Sequence, residues 1–386
     1  MTGQPDPIDA SKQQEEELPV KPKQSYYPKA RIGIAALVLV LTLTLLAACG
    51  KSDNSAGNGS TSPSASPSES SSGGASPSAE PSKSAEGVTV NLEASQIGPI
   101  LIAKEKGWFE EEFAKYGAKV NYQALQSSSQ FLEGIVSGRL DFARIGYIGT
   151  ITGQAANIPF VTLSEGSDGA GDGIIVQKDS KVKSIKDLKG KKVAVSKGSS
   201  SWGLLLRALE KEGLKVSDIQ LINLQPDEAQ GAFQSGQVDA WGIWEPFRSN
   251  QVNNQGATVI ANSQLIGAYT PGYNIARKAF ADEHPELVVA YLKAYERALQ
   301  WENQNFDEAV KLLAGIKKLD EATVNISLKN NVPLNSPVSD EANKSQQKTA
   351  DILLSLGEIK EQLDVTKVVD NSFITKALEE YKTENP

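Results

Sequence analysis

The chain has 386 residues, with 39 Lys and Arg against 47 Asp and Glu and a formal net charge of −8. That length allows two domains of ordinary size, each with its own core. One cysteine (Cys49) and one histidine (His284) exclude an internal disulfide, multi-thiolate and His-cluster metal centres, and argue against Ser-His-Asp triads and Cys-His dyads. The acidic balance argues against binding to a nucleic-acid backbone.

Residues 1–30 are polar, and Lys21, Lys23, Lys29 and Arg31 stand before an uncharged apolar run over 32–48 that ends in Leu46-Ala47-Ala48-Cys49-Gly50. A basic flank, an apolar segment and small residues at its exit describe a secretory signal over 1–48. The competing reading is an uncleaved signal anchor, since the run approaches the ~20 residues of a membrane span. Residues 49–87 follow as a linker of Ser, Pro, Gly, Ala and Asn. Such a composition cannot bury apolar surface and is expected to be disordered, a tether on the order of 35 Å long.

From residue 88 short β-branched runs alternate with amphipathic segments. Strands are expected at 88–92, 118–125, 141–146, 160–163, 173–176, 192–196, 219–224, 238–244, 258–261 and 273–276. Helices are expected at 99–116, 129–137, 201–212, 226–235 and 285–300. This alternation predicts an α/β fold of mainly parallel sheets covered by helices. After Arg277 the chain is expected to be helical to its end, the 285–300 segment carrying Leu287, Tyr291, Ala294, Tyr295 and Ala298 at helical spacing. No GxGxxG or GxxxxGK[ST] occurs, so no dinucleotide or NTP fingerprint is present. The Gly and Asp cluster from Asp168 to Gly173 lacks the ligand spacing of a calcium loop and reads as a crossover between two lobes.

Four places join a strand end to a helix start, the usual position of small-ligand sites in open α/β sheets. They are Ser95-Gln96-Ile97-Gly98 before Pro99, Ser127-Ser128-Ser129-Gln130, Gly146-Tyr147-Ile148-Gly149-Thr150, and Lys197-Gly198-Ser199-Ser200-Ser201-Trp202. Exposed N–H groups at helix starts suit an anion. The competing reading is that these serines cap their helices and do nothing more. Two triple-Ser helix starts in separate halves suggest convergence on one negatively charged ligand across a cleft.

The stretch Val238-Asp239-Ala240-Trp241-Gly242-Ile243-Trp244-Glu245-Pro246-Phe247 reads as a strand ending at a pocket wall. Trp241 and Trp244 would supply apolar area with an N–H handle, and Glu245 would pair a ligand amine or else cap the following helix. Arg144 reads as a solvated or ion-paired strand residue, with an anion clamp as the alternative. His284-Pro285-Glu286 marks a helix start.

These segments resemble a known group. PILIAKEKGWF (99–109) and SSSQFLEGIVSGRLDFARIGYIG (127–149) resemble periplasmic-type binding proteins for sulfonates, nitrate and thiamine-precursor pyrimidines. VAVSKGSSSWGLLLRALEKEGL (193–214), VDAWGIWEPF and ADILLSLGEIK are similar to aliphatic sulfonate and taurine ABC-transporter binding proteins. The Leu-Ala-Ala-Cys ending resembles the lipobox of bacterial lipoproteins, which implies an acylated Cys49 and an extracytoplasmic protein anchored to the membrane, with a Gram-positive surface suggested by the long tether. The resemblance implies a type II periplasmic binding protein of two Rossmann-like lobes, 88–172 with 268–386 and 173–267. It also implies a non-enzymatic, cofactor-free monomer that binds a small sulfonate and delivers it to ABC permease subunits. Nitrate, a pyrimidine or an aromatic sulfonate are the alternative cargoes. The implied ligand set is Gln96, Ser128, Ser129, Gln130, Gly146, Tyr147, Thr150, Ser199, Ser200, Ser201, Trp202, Trp241, Trp244 and Glu245.

Overall fold

The computed structural model describes residues 84–386. The expected signal segment and Cys49 lie outside these residues. The expected linker gives way to packed chain earlier than its composition suggests, because Ala85 is buried in the first core and its N–H bonds to the carbonyl of Tyr116.

The first run of elements is β1 (Thr89–Glu93), α1 (Pro99–Glu105), α2 (Trp108–Ala114), β2 (Lys119–Gln123), α3 (Ser128–Val136), β3 (Phe142–Gly146), α4 (Tyr147–Ala155) and β4 (Phe160–Ser167). The single helix expected over 99–116 is two, because Gly107 takes a left-handed φ of 72° that ends one helix and starts the next. A second run comprises β5 (Gly173–Val176), β6 (Lys192–Val195), α5 (Ser200–Lys211), β7 (Gln220–Asn223), α6 (Pro226–Gln234), β8 (Ala240–Ile243), α7 (Phe247–Gln255), β9 (Thr258–Ala261) and the single turn α8 (Ser263–Ile266). The chain then returns as β10 (Gly272–Arg277), α9 (Lys278–Glu283), α10 (Pro285–Gln304), α11 (Phe306–Lys317), α12 (Glu321–Asn330), β11 (Pro333–Ser336), α13 (Asp340–Ser355) and α14 (Ser372–Glu384).

Two sheets result, one in the order β11-β4-β10-β3-β1-β2 and the other β7-β6-β8-β5-β9. In each, a central strand is flanked by the next two parallel strands, β1 between β2 and β3, and β6 between β7 and β8. The sheets are mixed rather than mainly parallel. β10 and β11 run antiparallel in the first, and β5 runs antiparallel to β8 and β9 in the second. A crossover helix is what imposes the parallel direction, and β5 and β10 are reached through helix-poor crossings between sheets instead. β11 also breaks the expectation of an all-helical tail. It is a four-residue edge strand opening on Pro333, a position where proline is tolerated, and PLNS carries no alternation to read.

The crossings lie side by side. Gly169 has φ of +71°, and a Cβ there would lie 1.6 Å from the carbonyl oxygen of Thr270, whose Oγ1 donates to the Gly169 carbonyl at 2.9 Å. Only glycine allows that approach. The helix-period stripe of α10 is fully buried, with the Tyr291 ring stacked between Phe109 and Phe142 at 5.6 and 4.5 Å.

Candidate functional site: a cleft between the two sheets

The carboxyl ends of β1 and β3 face the carboxyl ends of β6 and β8 across a cavity of about 80 Å³. In each sheet the chain turns to opposite sides at the central strand, so a crevice opens there, outside the strand ends. The cavity is lined by Gln96 after β1, Ser127, Ser128 and Phe131 at the start of α3, Arg144 and Gly146 at the end of β3, Ser199 and Ser200 at the start of α5, and Trp244 after β8. The crossings contribute Gly169, Gly171, Asp172 and Thr270. The two sides touch, since a Cβ on Gly146 would come within 2.7 Å of the Ser200 Cβ.

The lining is rich in donors. A helix leaves its first N–H groups without partners. At α3 these belong to Ser128, Ser129 and Gln130, and at α5 to Ser200 and Ser201, none of which is bonded among the described residues. The positive ends of two helix dipoles therefore meet at the cavity from opposite halves. Ser199 Oγ accepts the N–H of Trp202 at 3.2 Å and caps α5, while Ser128 Oγ accepts the N–H of Gly146 at 3.4 Å.

Arg144 is the strongest donor. Its guanidinium makes no ion pair or hydrogen bond among the described residues, and its aliphatic stem lies over Gly166, where a Cβ would come within 3.2 Å of Cδ. Burial raises Glu302 to about 7, raises Glu93 and raises Asp168, each shift opposed in part by the Arg144 charge. The cavity is thus lined by Arg144 and by the first residues of α3 and α5, whose unbonded N–H groups suit a small anion.

One acidic group also lines the cavity. Asp172 Oδ1 accepts the Ser200 hydroxyl at 2.8 Å and the Ser201 hydroxyl. Burial raises its pKa to about 6 against the lowering effect of those two hydroxyls and of Arg248.

A family model described as NMT1/THI5 like matches residues 94–309. The chain belongs to the NMT1/THI5-like family. Within it, the chain is 42% identical over 297 residues, 77% of this chain and 89% of its relative, to the "Putative aliphatic sulfonates-binding protein" of Bacillus subtilis (strain 168). It is 31% identical over 284 residues, 73% of this chain and 88% of the relative, to the protein of the same name in Escherichia coli (strain K12). Among solved structures, the alkanesulfonate-binding protein SsuA from Xanthomonas axonopodis pv. citri bound to MOPS is similar at a TM-score of 0.69 and 28% identity, covering 75% of this chain and 100% of that one. The fold is that of a two-lobed periplasmic binding protein.

In this member of the NMT1/THI5-like family, Gln96, Ser128, Gly146, Ser199, Ser200, Trp244 and Glu245 are brought to the cavity wall. Several residues expected with them stand elsewhere. Trp241 is buried on the far face of the second sheet, between Phe233 and Phe247 at 5.8 and 6.1 Å. Both faces of that sheet are covered by helices, so alternation along β8 gives two apolar faces and cannot say which one meets the cleft. Trp202 is buried in the core shared by the two sheets. Ser201 is fully buried, with its hydroxyl committed to Asp172. Thr150 and the Tyr147 carbonyl turn toward α13, while the Tyr147 hydroxyl lies against α5, where a Cβ on Gly203 would come within 2.6 Å of it. The Thr150 hydroxyl donates to the Tyr147 carbonyl at 2.8 Å, and Gln346 Nε2 donates to that same carbonyl at 3.0 Å. Ser129 and Gln130 flank the cavity without lining it; Ser129 Oγ lies 3.0 Å from Ser127 Oγ, and Gln130 accepts the N–H of Gln126.

Glu245 is not free to meet a ligand amine. Its carboxylate accepts from Arg248 Nε at 2.8 Å, the Ser249 N–H at 3.0 Å, Ser327 Oγ at 3.1 Å and Asn330 Nδ2 at 3.0 Å. It holds α7 to α12. Gln96 likewise has its amide donors engaged, by Glu93 and by the Arg144 carbonyl. The residues that sequence reading underrates are Arg144, whose guanidinium has no partner among the described residues, a tertiary fact, and Asp172, which sits in a crossing with no local pattern to mark it.

Proposed function

We propose that the protein captures an aliphatic sulfonate, an alkanesulfonate or taurine, in the interlobe cleft and delivers it to an ABC importer. The observation that carries this reading is the convergence of the α3 start, the α5 start and the unpaired Arg144 on one cavity. A sulfonate is a monoanion with three acceptor oxygens and no proton to give. Charge-assisted hydrogen bonds contribute about 1.5–3 kcal/mol each. Micromolar affinity needs about −8.2 kcal/mol, so four or five such bonds reach it after ordering costs. Trp244 and Phe131 beside these donors suit a hydrocarbon tail, which nitrate lacks. Relatives named as aliphatic sulfonate binders support the same choice.

Donors from both halves reach the ligand, so it stabilises the closed arrangement by differential contact, and the permease reads that closed shape. The protein acts as a monomeric, extracytoplasmic binding protein without enzymatic activity, tethered by acylated Cys49 through the linker that follows it. The test is a thermal-shift panel on the full chain with alkanesulfonates, taurine, an aromatic sulfonate, nitrate and a pyrimidine phosphate. Aliphatic sulfonates should raise the melting temperature in a concentration-dependent way and reduce the radius of gyration in solution scattering. A larger rise with nitrate or the pyrimidine overturns the assignment.

A further inference from the structure

Asp172 is out of place in a pocket built only for an anion. It is 5% exposed, lines the cavity, and uses one carboxylate oxygen, Oδ1, to accept the hydroxyls of Ser200 and Ser201. Its other oxygen, Oδ2, has no hydrogen-bond partner among the described residues and is absent from the fully enclosed unpartnered atoms, so it opens on the cavity. A serine has one hydroxyl proton. With both protons directed at Oδ1, the Asp172 and Ser200 side chains present only acceptors to the cavity, namely a carboxylate oxygen and the lone pairs of Ser200 Oγ.

An anionic oxygen placed against that wall is repelled, and an unpaired buried carboxylate is costly. A donor relieves both. Glu245, the acid expected from the sequence to pair a ligand amine or cap the following helix, is saturated by four donors of the chain itself. Arg248, the nearest cation, points its guanidinium at Glu245 and at the carbonyls of Ala170 and Asp172, not at the Asp172 carboxylate. On the first-sheet side, Arg144 and the N–H groups opening α3 remain unpartnered.

We propose that the cleft is two-poled, with Asp172 receiving a ligand ammonium while Arg144 and the helix starts receive the sulfonate, so that the preferred cargo is an ω-aminoalkanesulfonate rather than a plain alkanesulfonate. This rests on the sulfonate reading above and narrows it. The ammonium donates to Asp172 Oδ2 and to Ser200 Oγ. The main-chain N–H groups of α5 lie between the poles and favour both the carboxylate and the sulfonate.

Two ligands of nearly equal shape separate the possibilities: taurine, and propane-1-sulfonate, in which a methyl replaces the ammonium. Calorimetric titration of the full chain at pH 7.5 should give taurine an advantage of about ten- to a hundredfold, the equivalent of one charge-assisted hydrogen bond. Asp172→Asn should remove that advantage by weakening taurine while leaving propane-1-sulfonate within about threefold of its wild-type affinity. Propane-1-sulfonate binding as tightly as taurine to the wild type overturns the proposal, as does a variant that weakens both ligands equally. Binding of neither overturns the sulfonate reading itself, and this proposal with it.

Should the variant fail to fold, the wild type alone decides through pH. The groups facing Asp172 are Ser200 and Ser201 of α5, Tyr147 of α4, and Arg248 and Glu245 on the α7 side. Its pKa is raised to about 6 by burial, so the taurine advantage should shrink as pH falls from 7.5 to 5. An advantage that persists undiminished at pH 5 overturns the role of Asp172.

Discussion

Arg144 shows how one side chain sets the charge of a cavity in an acidic protein. Its cation is neither paired nor hydrogen-bonded among the described residues, and burial pushes the neighbouring Glu302 carboxyl up to about 7. Replacing Arg144 by Ala should weaken binding of taurine and alkanesulfonates about ten- to a hundredfold in calorimetry; an unchanged affinity would place the anion elsewhere. Glu302 carries a second prediction, on stability. Its Oε2 is enclosed without a hydrogen-bond partner, with Arg144 opposing the shift. A carboxyl whose folded pKa exceeds its unfolded value binds extra protons in the native state, so its stabilising effect is complete below the ordinary value of 4.5 and is lost as pH rises through about 7. Glu302→Gln should therefore be more stable than wild type at pH 8, by on the order of 3 kcal/mol, and indistinguishable from it at pH 4. Parallel thermal-unfolding curves at both pH values would refute the assignment.

At the level of elements, function rests on helix starts placed at strand ends. α3 and α5 begin where β2 and β6 have just ended, and each offers N–H groups that its own ladder cannot use. These positions were legible from serine clusters and from strand-then-helix patterning, because both are local, although the Ser199 side chain caps α5 and no side chain caps α3. The close approach of α5 to the end of β3 was not legible. It depends on Gly146, where a Cβ would lie 2.7 Å from Ser200 Cβ and 3.3 Å from the Ser200 N–H nitrogen. Gly146→Ala should hold the halves apart. Overpacking of this kind costs about 1–3 kcal/mol, which corresponds to a loss of about ten- to a hundredfold in ligand affinity. Solution scattering should show the ligand-induced compaction reduced; full compaction with wild-type affinity would show that the halves tolerate the methyl.

Over the whole molecule, the returning helices tie the two sheets together. α12, reached after the chain has left the second sheet, packs on α7, with Ser327 and Asn330 donating to Glu245 and Asn254 donating to Asp320 at 2.9 Å. Arg207 of α5 donates to Thr349 of α13 at 3.0 Å. The Glu245–Arg248 pair at the first of these contacts is 1% and 5% exposed at the side chains. Removing one partner of a buried pair strands the other charge, at about 3–5 kcal/mol. Glu245→Ala should lower stability by that amount in denaturant unfolding, whether or not ligand is present. A variant that unfolds like wild type yet fails to bind amines would restore the amine-pairing role that the sequence offered for Glu245.

Local chemistry along the chain was enough to determine the α/β class, the strand-end loops, the serine-rich helix starts (of which α5 is capped by the Ser199 side chain and α3 is not capped by Ser127) and the buried stripe of α10, since each depends on neighbours a few residues apart. The cysteine and histidine counts alone set aside most metal and thiol chemistry. Tertiary structure decided which of the marked residues share a cavity. Trp241 and Trp244 are three positions apart, yet one enters a core and the other the cleft, because helices cover both faces of the sheet. Asp172 meets Ser200, and Glu245 meets Ser327, across separations of 28 and 82 residues. Pairings at that distance follow from strand order and from the two crossings between sheets, which no local periodicity encodes.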